Sequence, residues 1–359
     1  MIAYCTNVHP ADDLAGILDQ LDRHAVGVRA RLGVDTLPLG LWLPASVARG
    51  LAQDGAARLR LRVELARRGL TVSTLNAFPY GDFHGEVVKH AVYRPSWTDP
   101  RRLAYTVDCA TVLADLMPDS ASYGSISTLP LAWREPWGEA DDAVAEAALT
   151  ELTKSLRTAA DRPIRLAVEP EPGCVLDTVA DAVAWLAGRV DPEYVGICLD
   201  TCHLAVSFAD PAETVAAIRA AGLSVVKVQA SAALEVAEPG TEEGRRAVGA
   251  FAEPRYLHQV RENTPDGVLA ADDLPEAFES LPARHPWRVH FHVPLHARPA
   301  PLTSTTDVLL AAMAEVGLDT HVEVETYTWN VLPGAGDLTE GIAAELRWAH
   351  ENFRTGVTV

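Results

Sequence analysis

Five apolar stretches of this chain end in groups that bind cations or move protons. Residues 164–168 run into Glu169-Pro170-Glu171, and residues 195–199 run into Asp200-Thr201-Cys202-His203. Residues 225–228 reach Gln229, Val289-His290-Phe291 reaches His292, and the last stretch reads His321-Val322-Glu323-Val324-Glu325. A carboxylate at the end of a buried segment is costly unless it is paired or neutralised. Carboxylates converging on one place repel one another, and a divalent metal is the simplest remedy. Each residue also has a plainer use. Asp200 suits a helix N-cap, His203 a structural hydrogen bond, Glu171 a turn before Pro172-Gly173, and Glu323 an internal ion pair with Lys227 or an arginine. No single motif is strong, and the agreement of several segment ends is the signal.

Spacing adds a second regularity. Glu169 and Glu171, Lys227 and Gln229, His290 and His292, and Glu323 and Glu325 each stand two residues apart. Residues i and i+2 of a strand share a face at about 7 Å separation. If the outer member of a pair lines a pocket, its partner continues the polar wall in the next layer. Glu171 and Lys227 are therefore candidate substrate contacts, in a pocket suited to a polyhydroxylated small molecule. Trp329, just past Glu325, is a further candidate for the wall. So are Asn76 and His84, which border and enter the stretch Pro79-Tyr80-Gly81-Asp82-Phe83-His84-Gly85, read here as a substrate-side loop.

Such residues need rigid elements to hold them. Apolar runs at 2–7, 37–43, 71–78, 122–128, 164–170, 195–200, 223–230, 287–293 and 320–327 read as strands, mostly continuous in hydrophobicity as in parallel sheets covered on both faces. Between them lie amphipathic segments, with Leu14, Ile17, Leu18 and Leu21 at helical spacing and similar patterns at 143–160, 178–187, 211–221, 307–316 and 341–352. Alternation of this kind specifies an α/β fold, either a doubly wound sheet or an eight-stranded (β/α)8 TIM barrel. No G-x-G-x-x-G follows the first strand, and the length suits a barrel with insertions. In barrels the site is built at the C-terminal ends of the strands, where these polar groups fall. Nine strand candidates compete for eight places. Either 223–230 or 287–293 joins the barrel, and the other belongs to an insertion. One insertion follows the third strand and another lies around the seventh and eighth. No linker or compositional break appears, so residues 1–359 read as one domain.

Composition removes several functions. The chain has 359 residues with a formal charge of −19, a field that on average repels nucleic acid. The longest run without an acidic or basic side chain, residues 120–133, holds 14 residues and four serines, too short and polar to cross a bilayer. The first basic residue is Arg23, and no secretory pattern precedes it. Five cysteines, Cys5, Cys109, Cys174, Cys198 and Cys202, form no C-x-x-C pair and read as reduced thiols. The expectation is a cytoplasmic protein acting on a small molecule, without membrane insertion, as a homo-oligomer or with pathway partner proteins.

The order E-P at one strand end, L-D-T-x-H at the next and V-E near the last resembles the xylose isomerase-like TIM barrels, which include sugar isomerases and epimerases. More closely, the chain resembles the Ebo-cluster metabolite-traffic (EboE-type) proteins. That likeness rests on Tyr4-Cys5-Thr6-Asn7-Val8-His9-Pro10, Leu37-Pro38-Leu39-Gly40-Leu41-Trp42-Leu43, Asn76-Ala77-Phe78-Pro79-Tyr80-Gly81-Asp82-Phe83-His84, Ser125-Ile126-Ser127-Thr128-Leu129-Pro130 and Glu325-Thr326-Tyr327-Thr328-Trp329. The superfamily resemblance implies a divalent metal held by Glu169, Asp200, a residue of the seventh strand and Glu325, with His203 close to substrate. Epimerase-type members carry His at the third position, where this sequence has Gln229. An amide oxygen is a weak ligand, and His292 is the alternative. The resemblance further implies Mn²⁺ or Zn²⁺, with Mg²⁺ or Co²⁺ as further candidates. It implies isomerisation or epimerisation of a sugar or cyclitol, free or phosphorylated, through a metal-stabilised enediolate. Glu169 and Glu325, on strands five and eight, would be the catalytic proton carriers. A non-catalytic metabolite-binding or transfer protein that keeps the pocket is the other reading.

Overall fold

Continuous apolar runs become strands in this chain because each is covered twice, by the barrel interior and by an outer ring of helices. The computed structural model describes residues 2–317 and 319–353. Its barrel strands are β1 (Ile2–Cys5), β2 (Leu37–Trp42), β3 (Leu70–Asn76), β4 (Gly124–Thr128), β5 (Ile164–Val168), β6 (Val195–Asp200), β7 (Val225–Ala230) and β8 (His321–Val324). Neighbours pair in parallel around the ring, and β8 returns to β1 to close it. The result is a (β/α)8 TIM barrel. Helices between the strands start where the sequence supplies caps. Asp210 accepts from Glu213 N ahead of Pro211, and Thr178 forms a capping box with Asp181.

The contest between nine strand candidates ends in favour of Val225–Ala230. Trp287–Val289 belongs instead to a second, antiparallel sheet with Leu234–Val236, Val260–Thr264, Gly267–Ala271 and Thr303–Ser304. This sheet and the helices Glu242–Gly249 and Leu274–Ser280 fill residues 231–305, between β7 and the helix Thr306–Val316. The insertion therefore grows from the C-terminal end of β7, over the barrel mouth. Its strand Trp287–Val289 is shorter than the sequence suggests. Val293 N donates to Ala232 O beyond the ladder, and the stretch between carries His290 and His292. The other insertion, residues 77–99, follows β3. The two meet over the mouth, where Arg255 O accepts from Val88 N at 2.7 Å and Lys89 N at 2.9 Å, and Lys89 pairs with Asp273.

Below the mouth the barrel interior is not wholly apolar. Lys227 of β7 and Glu323 of β8 form an ion pair with no exposed side-chain surface. The Lys227 ammonium also lies 3.2 Å from Ser127 Oγ and 3.3 Å from Leu75 O. Gly40 of β2 makes room for this pair, since a Cβ there would sit 1.1 Å from Glu323 Oε1. All five cysteines are buried and free. No helix among the described residues is long and apolar enough to cross a membrane.

Candidate metal centre

The ends of β5, β6 and β8 bring Glu169, Asp200 and Glu325 together, with one oxygen of each within 4.8 Å of the others. None is more than 5% exposed. Asp200 serves two purposes. Its Oδ1 caps the helix Thr201–Val206 by accepting from His203 N at 2.8 Å, and it also accepts from Ser231 Oγ at 2.8 Å. Its Oδ2 has no hydrogen-bond partner, and neither has Oε2 of Glu169. Glu325 Oε1 accepts from the side-chain amides of Asn7 at 2.6 Å and Asn76 at 3.0 Å. Burial, then the charges of Glu325 and Asp200, raise the Glu169 carboxyl well above the usual carboxylate range. Burial, then Asp200 and Glu323, push Glu325 up to about 8. Burial first, and crowding of like charges second, produce both shifts.

Three imidazoles stand beside the carboxylates, and each has one nitrogen committed. His203 Nδ1 lies 2.8 Å from Pro170 O, His290 Nδ1 2.7 Å from Gln259 Oε1, and His292 Nδ1 2.7 Å from Glu325 O. Carbonyl oxygens only accept, so each Nδ1 carries a proton, and the unpartnered Nε2 of His292 keeps its lone pair. Gln259 is oriented in turn, because its Nε2 donates to Pro172 O at 2.9 Å. His203 and His290 meet through their Nε2 atoms at 3.1 Å. His292 Nε2 is unpartnered, 3.9 Å from Asp200 Oδ2. Burial pushes the His292 imidazole down to about 4 and holds His290 well below its ordinary value.

Gln229 resolves differently from either simple expectation. It is fully buried in register with Asp200 of β6 and Glu323 of β8, yet neither its Oε1 nor its Nε2 has a partner. His292 approaches this centre with a free ligand atom, and Gln229, on the strand between β6 and β8, has both amide atoms unpartnered. Glu171 and His203 line the cavity above it, and Glu171 Oε1 accepts from Tyr93 OH at 2.7 Å. Asn76 lines it as well. Lys227, expected as a substrate contact, does not reach the cavity and is sealed beneath it with Glu323. Trp329 also stays outside, with Nε1 donating to Glu345 Oε2 at 2.8 Å and its ring against Gly341. His84 lies behind the wall, edge-on to Trp42 and Phe83.

Several lining residues were not singled out from sequence. Asn7 stands two residues beyond the end of β1, in the position where other strands carry their polar groups. Tyr93, Tyr256 and Tyr327 lie in insertions or turns, where no periodicity marks them.

The donor set fits a divalent cation. Bare, buried atoms of Glu169 and Asp200 meet beside Glu325, and the bare Nε2 of His292 lies 3.9 Å from Asp200 Oδ2, so the set combines anionic oxygens with a neutral imidazole. A family model for the xylose isomerase-like TIM barrel matches residues 27–248. The chain belongs to that family. Among solved structures it is similar to a xylose isomerase-like TIM barrel protein from Mycobacterium smegmatis in complex with magnesium, at 15% identity, TM-score 0.54, and 98% and 96% coverage of the two chains. It is also similar to D-psicose 3-epimerase from Clostridium cellulolyticum H10 with D-tagatose, at 13% identity, TM-score 0.52, and 98% and 99% coverage. A third is D-allulose 3-epimerase from Methylomonas sp. in complex with D-allulose, at 13% identity, TM-score 0.51, and 98% and 96% coverage. At these identities the likeness shows the shared fold. A search of curated proteins finds no match.

Proposed function

We propose that this member of the xylose isomerase-like family is a metal-dependent isomerase or epimerase acting on a small, sugar- or cyclitol-like hydroxyketone. One observation carries the reading: Glu169, Asp200 and Glu325 crowd one buried point, with bare oxygens on Glu169 and Asp200 and the bare His292 Nε2 3.9 Å from Asp200 Oδ2. Glu169, Asp200 and Glu325 would hold the cation, with His292 or Gln229 completing the set. A divalent ion bound there polarises a carbonyl and the adjacent hydroxyl. Mn²⁺, Zn²⁺, Mg²⁺ and Co²⁺ all suit an oxygen-rich set with one imidazole.

Glu169 and Glu325 stand at the ends of β5 and β8, three strands apart around the ring, and approach the reacting carbon from different sides. Their surroundings differ. Glu325 is held by two amide donors on one oxygen, whereas Glu169 Oε2 is free to take or give a proton. Division of the acid and base roles between unlike carboxyls is the arrangement that proton transfer in both directions requires. His203 and His290 line the cavity beside the place a substrate would take. Likeness of the five quoted stretches to the Ebo-cluster metabolite-traffic proteins supports a place in a biosynthetic or traffic pathway. Five buried free thiols suit a reducing cytoplasm, and we treat residues 1–359 as one domain.

Gln229 favours a second reading, since an amide in place of a stronger ligand suits a protein that holds a metabolite without transforming it. Solvent-deuterium exchange into a hydroxyketone separates the two. Label entering with the wild type but not with Glu169→Gln or Glu325→Gln supports the enzyme. Tight binding with no exchange in any of them supports the carrier.

A further inference from the structure

The cavity has two unlike halves. Its floor is the metal centre with Asn7, Asn76, His203 and His290, enough to engage the oxygens of two or three adjacent carbons. Its roof comes from the two insertions and from the turn after β8. Phe83, Tyr256 and Tyr327 cluster there, with ring centroids 5.0–5.7 Å apart, and Phe78, Val88 and Leu257 continue the surface. Two phenols in the lining are already engaged. Tyr256 OH donates to Phe83 O at 3.2 Å, and Tyr93 OH donates to Glu171. They offer the cavity ring faces rather than free hydroxyls. Lys89 is the one lysine or arginine in the lining among the described residues, and it is paired with Asp273.

We infer that the substrate is a hydroxyketone oxygenated at one end and apolar over the rest, and that it carries no phosphate. The inference rests on the metal-centre reading above. A free ketose would press most of its remaining hydroxyls against these ring faces, where the Tyr327 hydroxyl is the one lining phenol left unengaged among the described residues, and they would lose water with little gained. A phosphate would meet no uncommitted cation. A hydrocarbon or aryl remainder would bury its surface against the rings instead. The substrate is thus sugar-like only at its reacting end.

The test is calorimetric binding of 1-hydroxy-2-octanone, D-fructose and D-fructose 6-phosphate to the metal-loaded full chain. Expected is about tenfold tighter binding of the octanone than of D-fructose, with no gain from the phosphate. Phe83→Ser should reduce this preference about tenfold, while Phe83→Leu, which keeps an apolar side chain, preserves it. Both variants should retain wild-type metal content. Binding of D-fructose as tight as that of the octanone, or tighter binding of the phosphate ester, would overturn the inference. Binding decides this whether or not exchange occurs. Preference for the octanone without deuterium exchange removes only the catalytic reading, and exchange with D-fructose as the tighter ligand removes only this one.

Discussion

Glu323 and Glu325 stand two residues apart, Glu323 within β8 and Glu325 just past its end, and the barrel treats them in opposite ways. Glu323 lies in a layer that neutralises itself: Lys227 reaches across from β7, and Gly40 of β2 leaves the space. Glu325 lies in the mouth layer with Glu169 and Asp200, where the described residues supply no free cation and the carboxyls are pushed up instead. The lower layer carries its own counter-charge, although Glu323 Oε1 has no hydrogen-bond partner. The upper layer has an excess of negative groups with bare oxygens, the state a site has when its counter-charge comes from outside the chain. Identical side chains on one strand thus differ in role because of what faces them.

The sharpest way to break this comparison is to make the lower layer resemble the upper one. Lys227→Met strands a buried carboxylate, and denaturant unfolding should show a loss of about 3–5 kcal/mol. Lys227→Met with Glu323→Leu should recover most of it, because the double change removes both charges. At the mouth, the opposite manipulation tests the external counter-charge. Asp200→Asn should weaken metal binding about a hundredfold in a chelator competition while leaving the fold intact. Stoichiometric metal in that variant would erase the distinction between the layers.

The lower layer also predicts a pH dependence. His321 is stacked on Tyr123 with its Nδ1 2.8 Å from Ser125 Oγ, and burial, then the Lys227 charge, push its imidazole down to about 3. It remains neutral in the folded protein while the unfolded chain takes up a proton below about 6.5. Stability is therefore present above that value and lost as pH falls, by about 2 kcal/mol at pH 5 relative to neutral pH. Replacement by Gln should flatten that part of the curve of thermal midpoint against pH. The smallest effect concerns the third ligand. His292 has its Nδ1 proton tied to Glu325 O and its bare Nε2 3.9 Å from Asp200 Oδ2, whereas Gln229 offers a neutral amide. His292→Ala should weaken metal about tenfold more than Gln229→Ala, read by the same competition. The reverse order would assign the ligand to the barrel wall rather than to the insertion.

How much of this was legible follows from how local each feature is. The strand-end carboxylates were visible because a buried strand turning polar at one end is a pattern within a few consecutive residues. Glu169, Asp200 and Glu325 were found that way, and so was the internal pairing of Glu323 with Lys227. The same spacing argument misplaced Lys227 at the substrate, since periodicity says which face a residue shares but not how deep that face is covered. Trp329 was drawn toward the cavity by its neighbourhood to Glu325, while the chain turns after Thr326 and delivers its ring to Gly341 and Glu345.

The amino-acid order by itself determined the barrel, its polar mouth and the acidic set that lines it, because apolar periodicity and capping act over short stretches of chain. Tertiary structure alone decided which of two candidate strands closed the ring, and with it where the histidines went. His290 and His292 lie some thirty residues from Gln259, Pro172 lies farther still, and Asn7 lies over three hundred from Glu325. The histidines meet Gln259 and Pro172 because an insertion folds back over the mouth from β7, held by Val88 and Lys89 on Arg255, while Asn7 meets Glu325 through the closure of β8 on β1. Contacts of that separation leave no periodic trace in sequence. The apolar roof has the same origin. Phe83, Tyr256 and Tyr327 come from three separate segments, and only their packing over the carboxylates turns a polar mouth into a cavity of two halves.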